Sequence, residues 1–322
     1  MTASINDVVL VGESAPMRQL RALIATVAPT RLPVLIEGAT GTGKELVAGL
    51  LHQLSGRTGN LVSFNVCAIS ETMFEDALFG HAKGAYTGAS GESLGFLREA
   101  NGGTVFFDEI SGLPGPQQAK LLRAIETGVF RPIGAARDAR SEFRPVAATN
   151  ERLEELVDEG RFRADLRHRL SGIVLAVPAL AERVDDIPEL AAHFVRRASR
   201  GEVSIRAEAV RLLQETPWPG NVRELKQVVD GATAFASGAV DVRAVQTALA
   251  YRSSVFRTFG KAPDLIDRRA LVAVLEGASW DTERAASALG IHRATIYRRM
   301  KRHGIDVRIG GRRGGRADAH VN

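Results

Sequence analysis

The run Gly38-Ala39-Thr40-Gly41-Thr42-Gly43-Lys44 constrains this chain more than any other stretch of it. It has the G-x-x-x-x-G-K spacing of a phosphate-binding loop and follows an apolar segment, 33–37 (PVLIE), that reads as a buried strand. Residues 43–54, which follow, carry apolar side chains at helical spacing. Strand, glycine loop and helix in that order form the context in which such a loop works. The glycines let backbone amides turn inward onto phosphate oxygens, the helix N-terminus adds its dipole, and Lys44 reaches the outer phosphates. Where such a loop usually continues with Ser or Thr, placing a hydroxyl on Mg²⁺, this chain has Glu45.

The surrounding pattern fits. Four more short apolar runs, 61–66 (LVSFNV), 104–107 (TVFF), 144–148 (RPVAA) and 172–177 (GIVLAV), alternate with amphipathic stretches such as 116–126. This predicts an α/β domain over 1–178 whose mostly parallel sheet is covered on both faces. From 179 to 250 the periodicity turns helical, over 187–197, 206–215, 221–236 and 241–251, which predicts a small all-helical lobe. Residues 251–264 lack periodicity and read as a linker. Residues 265–307 read as three short helices, with Thr282 placed to cap the second and Gly290 in the turn after it. The end, 308–322, contains GGRRGG and reads as a flexible basic tail.

Composition excludes several classes. With 45% hydrophobic and 25% charged residues over 322 positions, the chain is neither disordered nor a small stapled fold, and it is long enough for about two domains. Cys67 is the only cysteine, so no internal disulfide forms and a reducing, cytoplasmic setting is expected. No apolar run approaches the roughly 20 residues that span a bilayer. Residues 1–15 contain Asp7 and Glu13 and no basic cluster, unlike a signal peptide. Charge is uneven: from Ile291 onward nine Lys or Arg face only Asp306 and Asp318, a net +7 that leaves the preceding 290 residues at −2. A basic end on a near-neutral body suits an acidic polymer, nucleic acid first, or a merely solvated tail.

Other motifs carry chemistry. The run TVFF ends in Asp108 and Glu109, two acids at the C-terminal edge of a strand, where ligands of such sheets bind. Beside a phosphate loop, Asp108 suits Mg²⁺ held largely through water, and Glu109 suits polarising the attacking water. Asn150, after RPVAAT, is a third polar group at the same edge. Arg163 and Arg169 lie six apart in GRFRADLRHRL. Spacing alone does not separate a solvated basic face from arginines that reach a neighbouring subunit's γ-phosphate. The segment FGHAKGAYTGAS, poor as helix or strand, reads as a mobile loop with Tyr86 as an exposed aromatic anchor, the alternative being a turn with Tyr86 in the core. The last helix sets Arg293, Thr295, Arg298, Arg299, Lys301 and Arg302 around Ile296 and Met300, the pattern of a helix-turn-helix whose final helix enters a major groove of double-stranded DNA.

Taken together, GATGTGKE, FGHAKGAYTGA, GGTVFFDEI, FRADLRHRL and WPGNVREL resemble the AAA+ activators of sigma-54 RNA polymerase, over nearly the whole chain from VGES at 11–14 onward. The most specific element is GAYTGA, which resembles the GAFTGA loop of that family. The resemblance implies an ATP- and Mg²⁺-dependent ATPase that assembles as a ring, a hexamer by family expectation. It implies a sigma-54 contact by Gly84, Ala85, Tyr86, Thr87, Gly88 and Ala89, driven by hydrolysis. It places Lys44 in Walker A, where Glu45 is normal for the family, and Asp108 and Glu109 in Walker B. Asn65 matches the residue coupling the Walker B glutamate to the loop, Asn150 falls in sensor I, Arg163 and Arg169 match paired arginine fingers, and Arg223 matches the sensor II arginine.

Tyr86 stands where the family usually has Phe, keeping the ring and adding a hydroxyl. Arg167 and His168 replace common aromatics, and Ala181 replaces a usual arginine. Because the ATPase pattern begins by about residue 8, control in trans is expected, by a protein that binds the ATPase, by a paired activator or by expression level alone. Two other classes compete: a DNA-binding regulator that uses ATP only to oligomerise, against which GAYTGA argues, and an AAA+ remodeller of some other protein, for which a basic helix-turn-helix is superfluous.

Overall fold

In the computed structural model the chain has seven strands between residues 34 and 176: β1 (Val34–Glu37), β2 (Leu61–Asn65), β3 (Thr104–Asp108), β4 (Val129–Phe130), β5 (Ala139–Arg140), β6 (Arg144–Thr149) and β7 (Ile173–Ala176). The structure describes residues 9–259 and, beyond them, Leu271, Val272, Leu275, Trp280, Asp281, Thr282, Ala285, Ile296, Met300 and Ile305. Five strands form one parallel sheet in the order β2-β3-β6-β1-β7. These are the five apolar runs of the sequence. The short β4 and β5 pair antiparallel with each other, outside that sheet.

Seven helices accompany these strands: α1 (Ala15–Val27), α2 (Lys44–Gln53), α3 (Glu71–Phe79), α4 (Phe96–Glu99), α5 (Gly115–Thr127), α6 (Leu153–Asp158) and α7 (Ala164–Leu170). Successive strand residues serve opposite faces. Val34, Ile36, Phe106, Val146 and Ala148 pack with Met17, Leu20 and Ile24 of α1 and Val47 and Leu51 of α2. Leu35, Val105, Phe107 and Ala147 face the other way, onto Leu78 of α3, Leu121 of α5 and Leu166 of α7. Both faces are covered, which explains why the strands read as unbroken apolar runs.

One charge lies inside this arrangement. Arg144, at the start of β6, is fully buried. Its guanidinium donates to the carbonyls of Ala28 (2.7 Å), Val27 (3.0 Å) and Leu32 (2.9 Å). Those carbonyls end α1 and the turn after it, so the cation meets the negative end of the helix and satisfies acceptors that the helix leaves free. Burial draws the pKa of Arg144 down to about 10.

The helical lobe comprises α8 (Ile187–Ala198), α9 (Ala207–Glu215), α10 (Asn221–Phe235) and α11 (Val242–Phe259), with a two-residue parallel pair, β8 (Ser204–Ile205) and β9 (Ala239–Val240). Ile187, Leu190 and Phe194 of α8 and Leu225, Val228 and Val229 of α10 bury its apolar stripes. The linker expected over 251–264 requires correction: α11 continues to Phe259. No Gly or Pro falls between 239 and 259, so nothing in the backbone ends the helix before Gly260 and Pro263.

The chain divides into two compact units, 1–245 and 246–322. In the second, Leu271, Leu275, Ala285, Ile296 and Met300 form a small core with Trp280 and Ile305 partly buried against it. Thr282 is helical and buried, and the Asp281 carbonyl accepts the Ala285 amide at 2.9 Å, so Asp281 rather than Thr282 begins that helix. Gly290 and the tail 308–322 lie outside the described residues.

Replacing Arg144 with Met takes the donor from the Ala28 and Leu32 carbonyls, while Val27 keeps the Thr30 amide (3.0 Å) and hydroxyl (2.8 Å). Hydrogen bonds to charged groups are worth roughly 1.5–3 kcal/mol each, so Arg144→Met should cost about 3 kcal/mol after relaxation. In thermal unfolding that corresponds to a midpoint drop of roughly 6–12 °C. A drop below about 2 °C would show that these carbonyls find other partners.

Candidate nucleotide site

The loop between β1 and α2 has the backbone that its sequence requires. Gly41 and Gly43 adopt φ of +82° and +106°, conformations open to glycine, and Gly43 caps α2 so that Lys44 is its first residue. Thr42 is buried and its hydroxyl donates to the Ala39 carbonyl at 2.9 Å. Lys44 Nζ donates to the Gly38 and Ala39 carbonyls at 2.8 and 3.2 Å, arching over the loop. Burial lowers the pKa of Lys44, Asp108 and Glu109 raise it, and Arg223 lowers it. Glu45 and Thr40 are exposed beside the loop.

Sheet order explains this company. β1 lies between β6 and β7, and chain segments leave the C-terminal ends of these strands at adjacent points. The Gly38 amide donates to the Thr149 carbonyl at 3.2 Å, which seats Asn150 next to the loop; Asn150 Nδ2 donates to Thr40 Oγ1 at 3.3 Å. Asp108 ends β3. Its Oδ1 accepts the Glu109 amide at 3.1 Å and its Oδ2 accepts Asn65 Nδ2 at 3.3 Å. Glu109 is one of the few non-glycine residues with positive φ, at +56°. Such a conformation is costly for a side-chain-bearing residue, and here it turns the carboxylate off the strand. The sequence reading paired Asn65 with the glutamate. In the structure Asn65 bonds Asp108, while its Oδ1 caps the turn after β2 through the Cys67 (2.9 Å) and Ala68 (3.1 Å) amides.

The lobe reaches the loop directly, and here sequence reasoning missed the most. Arg223 was expected at the site; its backbone amide donates to the Gly41 carbonyl at 3.1 Å. Three further residues join it. Asn221, in a left-handed conformation with φ +52°, donates to the Thr40 carbonyl (3.0 Å) and accepts the Leu180 amide (2.8 Å). Arg183, buried, donates to the Thr42 carbonyl at 2.9 Å. Asp186, also buried, accepts both the amide and the hydroxyl of Ser14 at 2.7 Å. The only sequence signal was the turn Pro219-Gly220-Asn221, because Asn tolerates left-handed backbone.

Other expected residues lie apart from the loop. Arg163 precedes α7. Its amide donates to the buried Gln118 at 2.8 Å, and its guanidinium pairs with Asp165 at 2.7 Å. Arg169 is exposed and makes no ion pair among the described residues. Arg167 pairs with Glu154. The loop of Gly84, Ala85, Tyr86, Thr87, Gly88 and Ala89 follows α3. Tyr86 is 44% exposed, which removes the reading that buries it in the core. The loop is also tied down: the Gly84 amide donates to Ala89 (2.9 Å), and the Ala82 amide donates to Ile133, between β4 and β5 (2.9 Å). Arg293, Thr295, Arg298, Arg299 and Arg302 lie outside the described residues.

The sigma-54 interaction domain family matches residues 10–176, and an AAA+ ATPase lid domain matches 181–257. The Fis-type bacterial regulatory protein family matches 262–303. The chain belongs to the sigma-54-dependent transcriptional activators. Members similar to it include the DNA-binding transcriptional regulator NtrC of Rhizobium meliloti, 35% identical over 92% of this chain and 70% of that protein. The transcriptional regulatory protein ZraR of Escherichia coli is 38% identical over 91% and 68%. The anaerobic nitric oxide reductase regulator NorR of Klebsiella pneumoniae is 40% identical over 92% and 62%. Among solved structures, NtrX of Brucella abortus in complex with ATP superposes with a TM-score of 0.68 at 31% identity, covering 92% of this chain and 69% of that one. RuvB of Thermotoga maritima shares the fold, with a TM-score of 0.53 at 19% identity. Members of the sigma-54 activator family combine an AAA+ ATPase with a helix-turn-helix DNA-binding domain, and the parallel sheet, helical lobe and small C-terminal core here follow that plan. No helix among the described residues is long and apolar enough to cross a membrane.

Asn221→Ala removes the side chain that joins the phosphate loop to residue 180 and places alanine in a left-handed conformation. The expected result is at least about tenfold weaker binding of a fluorescent ATP analogue, since two buried hydrogen bonds and backbone strain are at stake. Binding within about twofold of the parent would show that the lobe does not set the loop.

Proposed function

We propose that this protein hydrolyses ATP between subunits of a ring and uses the cycle to drive its GAYTGA loop against sigma-54, remodelling the closed promoter complex. The observation that carries this is the exposed Tyr86 on the loop 84–89, in a chain whose phosphate loop, Walker acids and lobe converge at one sheet edge.

In this reading the loop from Gly38 to Gly43 cradles the phosphates with the amides of Ala39, Thr40, Gly41 and Gly43, with Thr42 buried beneath, and Lys44 leaves its loop carbonyls to neutralise the outer ones. Asp108 fits Mg²⁺: its carboxylate lies beside Lys44, and Mg²⁺ in such sites takes one or two carboxylates and completes its shell with phosphate oxygens and water. That donor pattern needs no dedicated cage, in keeping with the absence of a three-ligand cluster among the described residues. Mg²⁺ there supplies charge neutralisation and phosphate orientation. Glu109 polarises the attacking water, Asn65 fixes the Asp108 carboxylate, and Asn150 contacts the γ-phosphate or the water. Arg223 and Glu45 flank the nucleotide. Arg163 and Arg169 act on a neighbouring subunit's nucleotide, which accounts for their outward placement away from this chain's own loop.

The division of labour follows: 1–178 as ATPase, 179–250 as lid, and 265–307 as the module that brings Arg293, Thr295, Arg298, Arg299 and Arg302 to upstream double-stranded DNA in the cytoplasm. The basic tail 308–322 adds non-specific attraction for phosphate.

The test is trapping. The purified protein is mixed with isolated sigma-54 in ADP and aluminium fluoride, with Lys44→Ala and Tyr86→Ala alongside. The expected result is a complex that needs nucleotide, is abolished by Lys44→Ala together with ATP binding, and falls at least tenfold with Tyr86→Ala. No complex from a protein that still hydrolyses ATP would favour a DNA-binding regulator that uses nucleotide only to assemble.

A further inference from the structure

The neck of the loop that carries Tyr86 is closed by two backbone bonds, His81 to Ser93 (3.1 Å) and Ser93 to His81 (2.9 Å). Gly80 makes that closure possible, because a Cβ there would sit 2.2 Å from the Ser93 carbonyl oxygen. Within the neck, the side chain of Tyr86 reaches back outside the loop to Asp76, in the last turns of α3. The mostly buried Asp76 carboxylate is engaged at both oxygens: Oδ1 lies 2.5 Å from His81 Nδ1, and Oδ2 accepts the Tyr86 hydroxyl at 3.2 Å. The His81 ring meets the Tyr86 ring edge-on, with centroids 5.2 Å apart and planes at 63°. Asp76, His81 and Tyr86 thus form one closed set spanning helix, neck and tip. The two carboxylate oxygens are divided between the neck and the tip, so the hydroxyl of Tyr86 has a specific acceptor that a phenylalanine ring would leave idle. Lys83 and Thr87 are exposed, and neither side chain adds a hydrogen bond to the loop among the described residues.

We propose that Asp76 is a positioning residue for the sigma-54 contact: it latches the tip of the loop to α3 through the Tyr86 hydroxyl, and this latch must open before Tyr86 can engage sigma-54. The partner half of this proposal rests on the function proposed above; the latch itself does not. His81 orients the carboxylate, the phenol closes the latch, and the rest of the loop follows the tip. In this chain the tyrosine is therefore a restraint as well as an anchor. Releasing it exposes the same ring to the partner more of the time.

The test has two arms on the full chain. In the first, amide hydrogen exchange of residues 84–90 is compared among the parent, Asp76→Ala, Tyr86→Phe and the double variant. A charge-assisted hydrogen bond at a half-exposed site should hold exchange back roughly three- to tenfold. Each single variant should accelerate it by that factor, and the double variant by no more than either single, because one latch is removed only once. Asp76→Asn keeps an acceptor and should fall between the parent and Asp76→Ala. Amides of α3 at 78–80 report whether the helix itself has loosened. Unchanged exchange in Asp76→Ala, acceleration shared equally by α3, or multiplicative effects in the double variant would overturn the latch.

In the second arm, Asp76→Ala is trapped with purified sigma-54 in ADP and aluminium fluoride, and about threefold more complex is expected at sub-saturating sigma-54. Equal or less complex, with the parent trapping normally, would overturn the link between latch and partner. No trapping by the parent would instead remove sigma-54 as the partner, leaving the exchange arm to decide the latch.

Discussion

Everything at the candidate site depends on how closely the phosphate loop meets the helical lobe. A Cβ on Gly41 would lie 2.3 Å from the Gly220 carbonyl oxygen, closer than any side chain allows. That missing atom lets the Arg223 amide reach the Gly41 carbonyl, Asn221 reach Thr40 and Arg183 reach Thr42. Three successive loop residues therefore give their carbonyls to the lobe, while the Thr42 amide turns back to the Ala39 carbonyl at 3.4 Å. A ligand that shifts the loop by even part of an ångström must shift the lobe with it, because packed backbone contacts of this kind do not stretch. Asp186 carries the coupling one step further, to Ser14 ahead of α1.

The elements that sequence revealed are those whose signal is local. Burial on both faces makes Val34 to Ile36, Val105 to Phe107 and Val146 to Ala148 readable as unbroken apolar runs without knowledge of their neighbours. The order β2-β3-β6-β1-β7 is not local: it depends on which crossover carries the chain past which strand, and apolar runs are interchangeable in that respect. The pair β4 and β5 has two residues per strand, too short for any periodicity, yet its connecting segment supports the loop at Ala82 through Ile133. The missed helix over 252–259 shows the converse error. YRSSVFRTF was read as lacking periodicity, yet Tyr251, Val255 and Phe259 recur every four residues and nothing in that segment breaks a helix.

The same distinction separates the site residues. Lys44, Asp108, Glu109 and Asn150 were legible because each stands at a fixed offset from a strand or glycine that announces it. Asn221, Arg183, Asp186 and Gln118 act by accepting from or donating to backbone groups far away in sequence, and no spacing marks such a role. Asn65 is intermediate. The residue was found, but its partner was not, since β2 and β3 lie side by side with Asn65 directly opposite Asp108. That register makes Asp108 the carboxylate within its reach, while the left-handed turn at Glu109 directs the second acid elsewhere.

The two arginines before and within α7 are held in a way that suits the action on a neighbouring subunit proposed for them. Gln118 is buried, and its amide holds three backbone groups: it accepts from Arg163 and donates to the carbonyls of Leu113 (2.7 Å) and Arg161 (3.0 Å). The backbone leading into α7 is thus fixed from within, whereas the Arg163 and Arg169 side chains are not. Arg163 pairs only with Asp165, two residues away and equally exposed, and an ion pair of that kind is worth little against water and salt. Arg169 makes no ion pair among the described residues. A rigid base with loosely held tips is the combination that arginines acting on a neighbour's phosphate require. Reaching across costs an exposed pair that water already weakens, and the backbone delivers the same approach each time. An arginine buried for stability, as Arg144 is, has the opposite design: its guanidinium is spent entirely on carbonyls of its own chain.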